Sequence, residues 1–283
     1  MWDRQARLLG DRGQETLARL RVAIVGLGGV GSIVVEELAR LGVGELVLID
    51  NETVDATNLP RLLGAERSDI DKPKTDLAAR NATRANPQIR LTTVPRRVES
   101  PEALRELVVC DWIFLTADSH SARHWVNAVV HEFLIPATQV GVKIPVSPDG
   151  GIGQIHTATR LITPGVGCMW CNGLIDPTEL AIEMHPEAER EQARYVPGVP
   201  APSVMPLNTL AVGEAVTQFL LASASLHESD DDLGSVIHLP RTRERHLQDP
   251  RQSARCRWCT PTGNLGRGAG GELAARKAAT TRS

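Results

Sequence analysis

The chain has 283 residues and a mass of 30.6 kDa, which is long enough for one large domain or two small ones. Hydrophobic residues make up 42% and charged residues 23%, and the net charge of −3 argues against general binding to nucleic acid or membrane surfaces. We therefore expect a protein that binds neither nucleic acid nor a membrane. We also expect it to be cytoplasmic, because no apolar run approaches the roughly 18 residues of a membrane span and the first residues lack the apolar core of a signal peptide. The five cysteines fit a reducing compartment better than a disulfide framework.

Short apolar strands alternate with helices through the first half of the chain. The strands are predicted at Arg21–Val25, Glu45–Asp50, Ile89–Val94 and Trp112–Ala117, with a fifth near Ala137–Val142. The helices are predicted at Ser32–Leu41, Lys74–Ala85, Pro101–Val109 and Ser121–Phe133. Strands such as "VAIV" and "LVLI" in this alternation are typical of an α/β fold, with a mostly parallel sheet and helices on both faces.

The pattern changes after Val142. The stretches "GIGQIHTATR" and "GSVIHL" indicate strands of a smaller antiparallel layer. Between them lie a polar, proline-rich segment, Asp176–Pro206, and an amphipathic helix of about twenty residues from Leu207. We predict one domain over residues 1–261, with halves of about 1–142 and 143–261, and a disordered tail over 262–283.

A glycine-rich turn joins the first strand to the first predicted helix. Gly26, Gly28 and Gly31 form G-x-G-x-x-G at this junction, and Asp50 ends the second strand. Such glycines allow a tight turn and a close approach of backbone N–H groups to phosphate, while an acid at Asp50 can bind a ribose. The first half therefore predicts a Rossmann-like nucleotide site, and the alternative is a close-packed turn without a ligand.

Residues after Asp50 distinguish an enzyme that consumes ATP from one that uses a dinucleotide as a hydride carrier. Asn58 and Arg61 lie on the following loop, and Lys74 begins a helix. An enzyme that cleaves ATP between its α- and β-phosphates needs cations there, because negative charge builds on the α-phosphate and the departing pyrophosphate. Asp118, at the carboxyl end of a strand, can hold Mg²⁺ against the phosphates. Its alternative role is the N-cap of the helix that follows, and it could fill both roles.

These motifs together resemble the ThiF/MoeB/HesA family, the bacterial relatives of ubiquitin-activating enzymes. The glycine motif of the family, GxGGxGS, appears as "GLGGVGS", with Gly29 as its extra glycine. The next family motifs appear as "DNETVDATNLPRL", "DKPKTD" and "TADSHSAR", and an early arginine motif as "DRQARLLG". The resemblance runs from about Trp2 to Cys259.

The resemblance implies ATP-dependent adenylation of the C-terminal carboxylate of a small ubiquitin-like or sulfur-carrier protein, with release of pyrophosphate. It places Asp50 and Glu52 at the nucleotide, Asn58, Arg61 and Lys74 at the phosphates, and Mg²⁺ on Asp118. It also implies a homodimer in which Arg4 reaches the ATP site of the partner subunit; the role of Arg123 is left open. Three positions depart from the family pattern: Glu52 stands for a second aspartate, Leu62 for a glutamine and Ser119 for an asparagine.

Two C-x-x-C pairs, Cys168 with Cys171 and Cys256 with Cys259, predict a closed tetrahedral zinc site. Closed coordination by four thiolates leaves no position for a reactive water, so the site is predicted to be structural. The family carries the same pairs. A redox-active C-x-x-C is the alternative, although neither pair opens a predicted strand–helix unit.

Residues 172–255 contain no cysteine. Many family members transfer the activated carboxylate to a cysteine on this segment, so adenylation without an enzyme-bound thioester is predicted. The remaining cysteine, Cys110, begins an apolar strand and is predicted to be a buried structural thiol. By family analogy the segment around Tyr195 lies over the path of the substrate tail, and the alternative is a proline-rich surface loop.

Other functions also fit parts of the sequence. The glycine turn and Asp50 alone would suit an NAD-dependent oxidoreductase, but no obvious catalytic histidine–acid pair accompanies them. A degenerate partner subunit without activity is a third reading, against which Arg61, Lys74 and Asp118 all argue. Within the family, modification of a small peptide and dehydration of a tRNA base remain alternatives.

Overall fold

A computed structural model describes residues 2–147, 149–185, 189, 202–228 and 234–268. Within them, eight strands form one sheet: β1 Arg21–Val25, β2 Glu45–Ile49, β3 Arg90–Val94, β4 Trp112–Leu115, β5 Ala137–Lys143, β6 His156–Ile162, β7 Ser235–Leu239 and β8 Glu244–Gln248. Their order across the sheet is β3-β2-β1-β4-β5-β6-β7-β8. Strands β1 to β5 are parallel, and β6, β7 and β8 each run antiparallel to the strand before them.

The helices of the described residues are α1 Asp3–Arg19, α2 Gly29–Leu41, α3 Lys74–Ala85, α4 Pro101–Leu107, α5 His120–Phe133, α6 Pro177–Glu183 and α7 Met205–Ser223. The predicted α/β class, with a parallel sheet extended by an antiparallel layer, is confirmed. Helices α1 and α6 and strand β8 were not predicted from the sequence. Helix α1 buries Leu9, Gly13 and Leu17 at a spacing of four residues, but charged residues are frequent in it and Gly10, with φ 65°, interrupts it.

The connection between β3 and β4 creates the crevice that a ligand site needs. The chain adds β2 and β3 on one side of β1, then crosses to place β4 on the other side. Open α/β sheets bind ligands at this reversal, outside the carboxyl ends of the strands. Here the reversal lies between β1 and β4, directly above the glycine turn.

Two apolar cores lie on opposite faces of the sheet. On one face α2, α3 and α7 pack, with the Phe114 and Phe219 rings edge to face at 5.5 Å. The predicted helix from Leu207 is confirmed, although it is apolar on most of its surface rather than strongly amphipathic. Its buried positions recur at helical spacing: Asn208, Ala211, Val212, Ala215, Val216 and Phe219. On the other face α4 and α5 pack together with the cysteine segments. No helix in the described ranges combines the length and apolar character needed to cross a bilayer.

Residues 262–268 contact helix α5. The Asn264 amide donates to Glu132 Oε1 at 3.2 Å, and the Gly266 N–H donates to the His131 carbonyl at 2.8 Å. The rest of the tail predicted to be disordered lies outside the described residues, so its state stays a prediction.

Candidate functional site

The three glycines of the turn differ in what surrounds them. Gly26 has φ 95°, and a Cβ there would lie 2.6 Å from the Ala117 backbone nitrogen. A Cβ on Gly31 would lie 1.9 Å from the Gly26 carbonyl oxygen. At Gly28, by contrast, no described atom lies within 4 Å of the Cβ position. Packing therefore explains Gly26 and Gly31, while Gly28 faces open space at the N-terminus of α2, where the helix dipole favours an anion.

Asp50 links the end of β2 to the glycine turn. Its Oδ2 accepts a hydrogen bond from the Leu27 N–H at 2.6 Å, and its Oδ1 accepts one from the Glu52 N–H at 2.8 Å. Burial raises the pKa of Asp50, and the two N–H donors partly oppose that rise. The carboxylate is thus fixed beside the turn; its predicted role with a ribose stays a prediction.

Lys74 is a buried cation next to the loop that follows β2 and contains Glu52. Its side chain is 7% exposed and forms an ion pair with Glu52, whose side chain is 66% exposed. The Lys74 backbone N–H also donates to the Glu52 carbonyl at 3.0 Å, so helix α3 begins against this loop. Glu52 can turn towards solvent, whereas the ammonium of Lys74 is buried close enough to Asp50 to lower the pKa of that carboxyl.

Arg61 lies against the start of α2. Its guanidinium donates to the Thr57 carbonyl at 2.9 Å, and its Cδ lies 3.4 Å from where a Cβ on Gly29 would be. The neighbouring Asn58 is buried and closes a capping box with Asp55. The structure therefore brings the Asn58–Arg61 loop to the glycine motif, as the sequence predicts.

Asp118 follows β4 directly beside the turn. The N–H groups of Thr116 and Ala117 both donate to the Val25 carbonyl, at 2.9 and 3.0 Å, so the end of β4 is fixed to the end of β1. Asp118 itself is exposed. It is not the N-cap of α5: Ser119 takes that role and accepts from the Ala122 N–H at 3.2 Å. The alternative role of Asp118 as a helix cap is therefore wrong.

Helix α5 also holds the segment that leads into α6. His120 Nδ1 accepts from the Asp176 N–H at 2.9 Å, and the Arg123 guanidinium donates to the Leu174 carbonyl at 2.9 Å. Burial lowers the pKa of Arg123, while the carboxylates of Asp118 and Glu183 raise it. Arg123 is thus positioned between the exposed aspartate and the cysteine segment.

Arg4 lies far from the glycine turn of its own chain. It is exposed near the start of α1 and lines a shallow depression with Arg40. Arg40 is in the last turn of α2, about 16 Å along the helix axis from Gly29 at a rise of about 1.5 Å per residue. The predicted contact of Arg4 with a nucleotide would therefore have to be made in another subunit.

Two residues that position the site were missed by the sequence reasoning. The Ser32 hydroxyl, buried in α2, accepts from the Leu63 N–H at 3.1 Å and so anchors the loop that carries Arg61. Asn208, fully buried in the first turn of α7, lies 2.6 Å from a Cβ position on Gly29. An asparagine on the buried face of a helix was the signal available. Leu62 packs in a small apolar cluster, where a glutamine would be buried.

The two cysteine pairs converge across a long sequence gap. The four Sγ atoms of Cys168, Cys171, Cys256 and Cys259 all lie within 4.8 Å of one another. Cys168 and Cys256 are 3.5 Å apart and Cys171 and Cys259 are 3.8 Å apart, too far for disulfides. Tetrahedral zinc with bonds of about 2.3 Å requires sulfur separations of about 3.8 Å, so the cluster fits Zn²⁺.

Backbone N–H groups point at these sulfurs. Those of Cys171, Ser253 and Trp258 donate to Cys168, Cys171 and Cys256, at 3.3, 3.4 and 3.4 Å respectively. Burial raises the pKa values of Cys168 and Cys259, whereas at Cys256 backbone donors and the neighbouring thiols of Cys171 and Cys259 outweigh burial and bring the pKa to about 7. Donors of this kind stabilise thiolates, the form that binds a metal.

Cys110 is confirmed as a buried thiol. Burial raises its pKa to about 12, and its Sγ donates to the Glu106 carbonyl at 3.2 Å. A thiol in this environment is a poor nucleophile. Tyr195 and most of the proline-rich segment around it lie outside the described residues, so the predicted substrate path there stays a prediction.

Comparison with known families gives a match over residues 2–254 to the model of the ThiF family. The sulfur carrier protein ThiS adenylyltransferase of Escherichia coli (strain K12) is 37% identical over 133 residues, which are 46% of this chain and 53% of that protein. The molybdopterin-synthase adenylyltransferase of Salmonella typhimurium is 35% identical over 138 residues, 48% of this chain and 55% of the relative.

A tRNA threonylcarbamoyladenosine dehydratase of Bacillus subtilis is 42% identical over 87 residues, 31% of this chain and 34% of that protein. The aligned regions thus span about half the length of these relatives or less. Among solved structures, E. coli MccB with ATP superposes with a TM-score of 0.68 at 23% identity, over 89% of this chain and 69% of that chain. At this identity the likeness shows a common fold.

Proposed function

Because the chain belongs to the ThiF family, we propose that it is an ATP-dependent adenylyltransferase that activates the C-terminal carboxylate of a small sulfur-carrier or ubiquitin-like protein. The relatives named as adenylyltransferases of such carriers support this substrate class. The carboxylate would attack the α-phosphate of ATP, which gives an acyl-adenylate and releases pyrophosphate.

One observation carries the proposal: a carboxylate, two cations and an open anion site converge at the carboxyl ends of β1, β2 and β4. Gly28 leaves space at the N-terminus of α2, and the Arg61 side chain lies against the neighbouring Gly29. The buried Lys74 ammonium is close enough to Asp50 to lower the pKa of that carboxyl, and Asp118 follows β4 beside the turn. A hydride-transfer enzyme has no need of two cations around the phosphates, whereas an enzyme that displaces pyrophosphate at the α-phosphate does.

Each side chain has a distinct part in this reaction. The Leu27 and Glu52 N–H groups leave lone pairs available on the Asp50 carboxylate, and with these Asp50 accepts a hydrogen bond from a ribose hydroxyl. Lys74 and Arg61 donate to phosphate oxygens and so stabilise the charge that develops there; Lys74 exchanges Glu52 for phosphate when ATP binds. Asp118 would hold Mg²⁺, which supplies further charge neutralisation at the phosphates.

We further propose a homodimer in which Arg4 serves the site of the partner subunit. Arg4 is exposed and, at the far end of α2, too distant to serve its own. The acyl-adenylate would pass to an external thiol, persulfide or amine, because residues 172–255 contain no cysteine and Cys110 is buried. The zinc site would stabilise the fold by tying the end of the described chain to its middle.

Exchange of labelled pyrophosphate into ATP tests the proposal. With a carrier protein ending in Gly-Gly, we expect exchange that depends on the carrier and is lost in Asp118→Ala. Asp11→Ala, which removes an exposed aspartate from α1, is the matched control and should retain exchange. No exchange with any carboxylate, combined with tight NADH binding, would identify an oxidoreductase instead. Exchange that depends on a tRNA would reassign the substrate to the class of the dehydratase relatives.

A further inference from the structure

A second cavity lies away from the glycine turn, between the antiparallel half of the sheet and the cysteine segments. It has a volume of about 400 Å³. Its floor includes Arg160, Ser235 and Gln248, which stand opposite one another on β6, β7 and β8. Asn172 and Arg251, next to the cysteine site, line its wall. The volume is within the range of small-ligand pockets, about 300–1,000 Å³.

Arg160 is the half-buried cation of this cavity, whereas Arg251 on its wall is exposed. One of its N–H groups donates to Gln139 Oε1 at 2.6 Å, across the β5–β6 pair. In the part of the chain that the structure describes, no carboxylate lies within ion-pair distance of its guanidinium. A guanidinium carries five N–H donors in a planar fork, so most of the donors of Arg160 have no acceptor among the described residues.

A second arginine adds to this charge. Arg123 does not line the cavity itself, but its guanidinium donates a hydrogen bond to the carbonyl of Leu174, which does. Burial and the charge of Arg123 lower the pKa of Arg160 to about 10, so Arg160 stays protonated at neutral pH. Among the described residues that line the cavity, Asp249 is the one acidic residue, and it forms no ion pair with Arg160. The carboxylates of Asp118 and Glu183 offset the charge of Arg123, but no described carboxylate pairs with Arg160, so an anion in the cavity would stabilise its half-buried charge.

We propose that this cavity is a second anion site, in which Arg160 binds the oxyanion of a ligand, a carboxylate or a phosphate, through its planar fork. Ser235 supplies a neutral hydroxyl beside it, whereas the Asn172 amide is engaged with the Cys168 and Arg251 backbones and shapes the wall. The oxyanion belongs either to a small free ligand or to an acidic group of the protein substrate; the second source rests on the proposed function.

Calorimetric titration of the metal-loaded chain with inorganic phosphate, in the absence of ATP, tests the site. We expect saturable binding of phosphate that Arg160→Gln weakens at least tenfold and Arg160→Lys weakens less. Arg105→Gln removes the same charge from an exposed position on α4 and should leave binding unchanged. ATP affinity, measured separately, should be unaltered in Arg160→Gln, because this cavity is distinct from the glycine turn.

Carrier-dependent exchange distinguishes the two sources. If the oxyanion belongs to the carrier, Arg160→Gln raises the KM for the carrier with little change in kcat, and phosphate competes with the carrier. If it belongs to a free ligand, the KM is unchanged while phosphate still binds. Phosphate binding that is absent, or equal in the wild type and Arg160→Gln, together with an unchanged KM, would overturn the proposal. Loss of exchange in the wild type would instead count against the proposed function.

Discussion

Substitution of Gly28 by alanine separates nucleotide binding from packing of the turn. Gly28 has φ −73° and ψ −158°, an extended conformation that any residue adopts, and no described atom lies within 4 Å of its Cβ position. A methyl group there should therefore cost the fold almost nothing. It would, however, occupy the space through which a phosphate reaches the N–H groups at the start of α2.

The structure gives the size of both effects. Without strain or a clash, the free energy of unfolding should change by less than about 0.5 kcal/mol, which is a shift of about 1–2 °C in Tm. Loss of one charged hydrogen bond to phosphate costs about 1.5–3 kcal/mol, so the Kd for ATP should rise about 10- to 100-fold. Calorimetric titration with ATP and Mg²⁺ and thermal unfolding measure the two quantities on the same samples.

Gly31→Ala is the contrasting variant. Its Cβ would lie 1.9 Å from the Gly26 carbonyl oxygen, so the strand–helix junction must shift and the protein should lose about 1–3 kcal/mol or more of stability. If Gly28→Ala bound ATP within twofold of the wild type, phosphate would not approach the turn at Gly28, and the assignment of this space would be refuted.

Three further predictions concern the metal, the cations and pH. Metal analysis should find about one zinc per chain, and Cys171→Ser should lose it and lower the Tm by about 5 °C or more, whereas an unchanged Tm would argue against a structural metal. Lys74→Met should reduce pyrophosphate exchange about 100-fold or more while changing stability by less than about 1 kcal/mol, because the Glu52 left behind is in solvent; intact exchange would remove Lys74 from the site. The hydrogen bond from Arg80 lowers the pKa of Asp69 from 3.8 to about 2. The Asp69–Arg80 pair therefore stabilises the fold above pH 3.8, and this stabilisation is lost as the pH falls towards 2. Denaturant titrations of Asp69→Asn and the wild type should therefore differ at pH 7 and converge near pH 2, and a constant difference would contradict this origin.

The sequence predicted the parallel half of the fold closely because its strands are buried on both faces and read as continuous apolar runs. The glycine turn, Asp50 and the two cysteine pairs were identified from spacing alone, including the approach of Cys168 to Cys256 across 88 positions. These features depend on local geometry or on a chemistry that few residue types supply.

Other features depend on contacts that spacing does not reveal. Asn208 reaches Gly29 only because α7 packs on α2, and Ser32 holds the loop of Arg61 through its hydroxyl. Gln139, Arg160 and Ser235 lie side by side only because of the register of the antiparallel strands. A shift of one residue in that register would place the Arg160 side chain on the other face of the sheet. Two roles were predicted for Asp118, as a magnesium ligand and as a helix N-cap. Ser119 is the N-cap instead, because its hydroxyl accepts from the Ala122 N–H.

The central claim, that a carboxylate oxygen attacks the α-phosphate of ATP at this turn, is tested most directly by oxygen-18. A carrier protein labelled with oxygen-18 in its terminal carboxylate is incubated with ATP, the enzyme and a thiol acceptor, and the AMP is analysed by mass spectrometry. Attack by the carboxylate on phosphorus, followed by attack of the thiol on the carbonyl carbon, predicts AMP that carries one oxygen-18. Unlabelled AMP, or ADP as the nucleotide product, would contradict the claim.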